Sequence, residues 1–69
     1  MATVSIDTRV VRALRRTLRF EMQRYERSVR YYREGDGRSS AKAEDNAHFA
    51  EERIDELRDC IADLEELTA

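Results

Sequence analysis

The side chains with chemistry in reach are few: one histidine, one cysteine, fifteen carboxylates and thirteen cations. His48 sits among Glu44, Asp45, Glu51, Glu52 and Asp55. On a helix the steps of three and four that join Asp45, His48 and Glu52 place all three on one face. An imidazole with carboxylates is a donor set for a divalent transition metal. That face turns away from Ala47 and Ala50, however, and toward solvent. The expected state is therefore a solvated histidine with no metal and no cofactor. A metal there would need a second subunit to bring Glu26 or a similar carboxylate over the trio.

Asp45-x-x-His48 resembles the Glu-x-x-His pair of ferritin-like di-iron proteins, with aspartate where glutamate is usual. The resemblance covers four residues and implies a metal-binding helical bundle. The stretch Thr3-Val-Ser-Ile-Asp, followed by a helix, resembles the strand–helix start of ribbon–helix–helix DNA-binding proteins. That family breaks its first helix much earlier than Gly35.

The cations are nearly all arginine, Lys42 being the lone lysine, which points to a GC-rich coding source such as an actinobacterium or its phage. Residues 8–34 hold nine arginines against three glutamates, a net +6, and residues 41–69 hold three cations against ten carboxylates, a net −7. Two oppositely charged halves attract one another when they lie side by side. The basic face expected on the first half carries Arg12, Arg15, Arg16, Arg19, Arg30 and Arg33. It is also suited to phosphate, so nucleic-acid binding stands as the alternative function, with the acidic half and a pI of 5.4 against it. Glu21 is expected to pair across the helices with Arg53 or Arg58. Cys60 is expected to be a small buried hydrophobe; a symmetric intermolecular disulfide requires a two-fold axis close to it. No nucleophile–base pair, phosphate loop or cysteine–histidine cluster occurs, so the chain is not expected to be an enzyme.

Two elements must position these groups. Val11, Leu14, Leu18, Met22, Tyr25, Val29 and Tyr32 recur in steps of three and four, the pattern of one helix face, with an inserted step between Leu18 and Met22. Ala43, Ala47, Ala50, Ile54, Leu57, Ile61, Leu64 and Thr68 make a second stripe. Asp7 or Thr8 can cap the first helix and Ser39 or Ser40 the second. A glycine of Gly35-Asp36-Gly37 can take the left-handed position that ends a helix. The fold expected is all-α: an antiparallel, coiled-coil-like hairpin with a flexible segment 1–7, helix 1 about 8–34, a loop 35–40 and helix 2 about 41–68. Pairing outward from the loop puts residue i near residue 75 − i, give or take a turn, with Tyr25, Val29 and Tyr32 over Ala50, Ala47 and Ala43.

One flank of this hairpin is expected to be apolar: Val10, Ala13, Thr17, Phe20 and Tyr31 on helix 1, and Phe49, Cys60 and Leu67 on helix 2. A chain of 69 residues without disulfides rarely builds a self-sufficient core. A second copy is the simplest cover, giving a homodimer and a four-helix bundle. The function expected is a small, non-catalytic, self-associating interaction or assembly module, with a protein partner besides. The start of the sequence lacks the regions of a signal peptide and no apolar run is long enough to cross a membrane. The expected location is the cytoplasm, or a phage particle, with no membrane partner.

Overall fold

A computed structural model describes residues 7–67. Helix α1 spans Thr8–Arg33 and helix α2 spans Ala43–Leu67; a short 3-10 helix, Asp36–Ser39, lies between them. The two long helices pack against each other as a hairpin, and no strand occurs among the described residues. Apart from Asp7, the segment expected to be flexible lies outside the described residues, as does Thr68.

Asp7 caps α1: its Oδ1 accepts a hydrogen bond from the Arg9 amide at 2.8 Å, satisfying one of the donors a helix start leaves open. The Arg9 guanidinium also donates to Oδ2 at 3.2 Å. The Arg9 side chain first, and its amide second, hold the Asp7 carboxyl below the usual carboxylate range. A carboxyl depressed on folding adds stability above its unfolded pKa, and that stability is lost as pH falls through the folded value. Asp7→Ala should therefore lower the melting temperature at pH 7, and the gap from the unsubstituted chain should narrow below the carboxylate range. A gap of constant size across a pH series would remove this role from Asp7.

The end of α1 differs from expectation. Neither glycine has a positive φ; Gly35 sits at φ −102°, ψ −158°. The helix closes because the amides of Glu34 and Gly35 both donate to the Arg30 carbonyl, at 2.7 and 2.9 Å. The chain then tightens through the 3-10 turn, where Arg38 donates to Gly35 and Ser40 to Gly37. Helix α2 starts two residues later than expected, because Lys42 supplies the first helical acceptor, to the Asn46 amide at 2.9 Å. Ser40 Oγ accepts from the Lys42 amide at 3.3 Å, so a serine does cap the approach.

Glycine at position 37 answers to space rather than to backbone angle. Gly37 is buried, and a Cβ there would lie 2.6 Å from Tyr31 Cε1 and 2.9 Å from Tyr32 Cδ1. These two rings stack edge-to-face over the turn with centroids 5.0 Å apart. Gly37→Ala should force the rings apart and cost about 1–3 kcal/mol, the usual penalty for overpacking. Denaturant unfolding measures it, and an unchanged midpoint would mean that the rings move freely.

The core is a single seam. Val11, Ala47, Ala50, Ile54 and Ile61 are buried, while Leu18, Met22, Tyr25, Val29 and Tyr32 on α1 and Ala43, Leu57 and Leu64 on α2 are half-buried. Large α1 residues do meet small α2 residues, since Tyr25 and Tyr32 line one depression with Ala50. The pairing runs about a turn past the 75 − i register: Tyr25 and Glu21 share a cleft with Arg53, Glu56 and Leu57. Leu14 departs from the stripe and is exposed. At 100° per residue it lies about 60° off Val11, beyond what one neighbouring helix covers. Overall the hairpin measures 50 × 22 × 13 Å. Its smallest dimension is about the diameter of one helix, so the molecule is one layer thick.

Candidate interaction surfaces

A one-layer hairpin has two broad faces and two outer edges, and helical rotation distributes the candidate residues among them. The first broad face carries Val10, Leu14, Thr17 and Ser28 of α1 with Phe49, Cys60, Leu64 and Leu67 of α2. Val10, Leu14, Phe49 and Leu67 are all exposed, Phe49 at 58%. Cys60 is exposed too, which corrects its expected burial: it stands about 100° from the α2 seam, where a single partner helix leaves it uncovered. Midway along this face lie two local ion pairs, Glu21–Arg24 and Arg53–Glu56, each at 2.8 Å. Glu21 thus pairs within its own helix and not with Arg53 or Arg58. An arginine three residues away on the same helix reaches it more readily than one across the seam. Arg53 is held above its ordinary pKa by the Tyr25 hydroxyl first and by Glu56 second. Arg58 turns to Asp55 at 3.7 Å.

Phe20, Tyr31 and Ala13 do not belong to this face. They fall about 150–170° from the seam, on the outer edge of α1. Phe20 borders a groove of Arg12, Arg15, Arg16, Arg19 and Gln23, and Tyr31 bends over Gly37. The row expected to hold both phenylalanines is therefore two separate patches. Its members differ by up to 80° in helical rotation, and only the folded hairpin shows which edge each one meets.

The second broad face is charged. Arg33 bonds to Glu44 at 2.9 Å and also pairs with Glu51, and Glu44 and then Glu51 raise its pKa above the ordinary value. Arg19 and Arg15 reach one oxygen of Glu65, at 3.5 and 4.0 Å. Arg30 shares a depression with Glu26, Glu51, Asp55 and Arg58. Basic α1 and acidic α2 thus run side by side as expected. Glu65, however, was hidden in the sequence, because its rotation places it near the seam and only the stagger of the helices brings it under Arg15 and Arg19. These contacts are screened by solvent, and they orient the helices more than they hold them.

His48 is exposed, with Nε2 3.1 Å from Glu52 Oε1. Asp45 does not join them: among the described residues no three histidine, cysteine or acidic side chains converge in a way that could hold a metal ion. No described helix is long and apolar enough to cross a membrane.

No protein-family model matches the chain, and no curated protein or solved structure matches it.

Proposed function

We propose that the hairpin is a non-catalytic assembly module that pairs with a second copy of itself through the Val10/Leu14/Phe49/Cys60/Leu67 face, completing a four-helix bundle. The observation that carries this reading is thickness. A domain buries its apolar surface between at least two layers, and this chain has one, 13 Å deep, with Val10, Leu14, Phe49 and Leu67 exposed together on one broad face. Its radius of gyration, 15.7 Å, exceeds the ~11 Å of a compact domain of this length. It also exposes 5727 Å², against about 4,500 Å² for a compact monomer of 8.1 kDa. The broad face projects 50 × 22 Å, or about 1,100 Å², room enough for the ~800 Å² per partner of a stable interface.

With the two-fold axis along the hairpin, α1 lies over the α2 of the partner subunit. The open ends then lie together, and their leucines and valine cover one another. Sedimentation of the purified chain tests the reading directly: twice the chain mass is expected at micromolar concentration, and a monomer at all concentrations rules the module out.

A further inference from the structure

The outer edge of α1 stays open in such a dimer, and it carries a cluster of arginines with little compensating charge. Arg12, Arg15, Arg16, Arg19, Phe20 and Gln23 line one groove of about 350 Å³. Arg12 and Arg16 form no ion pair with any described residue. Arg15 and Arg19 share a single carboxylate oxygen of Glu65 at long range. The Arg15 Nε is buried without a hydrogen-bond acceptor, and its Nη1 is the atom that reaches outward, toward Glu65. Four arginines therefore line a groove that holds no carboxylate and is edged by a phenylalanine that is 60% exposed. The guanidinium fork matches the oxygens of a phosphate. An exposed aromatic ring beside such a row is a stacking platform for an unpaired base.

We propose that this groove binds a short stretch of single-stranded nucleic acid, with the pairs Arg12/Arg16 and Arg15/Arg19 on its phosphates and one base stacked on Phe20. Arg12 and Arg16, like Arg15 and Arg19, stand four residues apart, about 6 Å along the helix, so each pair reaches two neighbouring phosphates of an extended strand. Gln23 at the end of the groove offers an amide donor and acceptor to a base edge. A duplex keeps its bases stacked on each other and leaves Phe20 no face to cover. An acidic peptide would satisfy the guanidinium groups but would leave Phe20 idle.

The probe is a fluorescein-labelled oligothymidylate of ~16 nucleotides, the upper end of single-strand site sizes, titrated with the full chain and read by anisotropy. Binding should weaken with salt at a log–log slope of about −2 to −3, the value for three to four phosphates on a single strand. Arg12→Glu with Arg16→Glu should weaken binding at least tenfold at unchanged helicity, and the paired lysine substitutions should restore most of it. Phe20→Ala should weaken binding about tenfold without altering the salt slope. Four results overturn the proposal. They are no anisotropy change at low salt, an affinity indifferent to the double charge reversal, equal binding of the matching duplex, and displacement by polyglutamate as effective as by unlabelled oligothymidylate. Loss of dimer mass on the charge reversal, with strand affinity intact, would assign the groove to a second copy and equally overturn it.

Discussion

Ile54→Ala is expected to unfold the protein or bring it close to unfolding. Among the described residues Ile54 is one of five buried apolar side chains, and with Ile61 it supplies the large buried side chains of α2. Truncating a buried isoleucine costs about 2–5 kcal/mol, from lost transfer energy and from the cavity left behind. A core this small supplies only about 3–5 kcal/mol in total, so the substitution consumes most of the margin. Neighbours cannot readily collapse into the gap. Ala47 and Ala50 already allow the helices their closest approach, and the next large residues, Leu57 and Val29, are half-buried at the seam margin. Thermal melting followed by circular dichroism is the measurement. Leu57→Ala should cost less, since part of Leu57 already meets water. If the two substitutions proved equal and mild, a seam centred on Ile54 would not be what holds the hairpin together.

Phe49→Asp should halve the sedimenting mass. At the proposed interface the ring leaves water on association, and an aspartate in its place would bury an unpaired charge, which association cannot offset. Leu67→Asp, at the opposite end of the same face, should act alike. Folding and association are linked, so both variants should also melt at lower temperature and lose the dependence of melting on concentration. Phe20→Asp is the contrasting case. It is equally exposed but lies on the outer edge of α1 among arginines, so it should leave the mass unchanged while abolishing strand stacking. Dissociation by Phe20→Asp with Phe49→Asp silent would move the interface to the other edge. All three positions are exposed in the single chain, so the hairpin itself should tolerate each change.

Two helices packed as a hairpin were legible in sequence, because the apolar steps of three and four, Asp7 as cap and the paired glycines are all local signals. The connection was legible only as a break. Whether Gly37 served a left-handed angle or a tight approach depended on where the Tyr31 and Tyr32 rings came to rest, which no neighbouring residue encodes. The charged face was readable as a pairing of halves. The partner of Arg15 and Arg19 was not, since long side chains reach across more than a turn and choose according to the stagger of the helices. The apolar row was misdrawn for a related reason. Phe20 and Phe49 look equivalent as exposed aromatics, yet one stands at the edge of α1 and the other on a broad face beside α2.

The chain's own residues, then, determined two amphipathic helices of matched length, the place where the chain turns back and the opposition of charge between its halves, because each is set by periodicity and composition over a few turns. Only the tertiary structure decided which apolar residues one layer of helices can cover, that Cys60 and Leu14 remain outside it, and that Phe20 keeps company with arginines. Coverage depends on the rotation of each helix about its own axis and on their relative stagger, and those two quantities exist only once the helices have met.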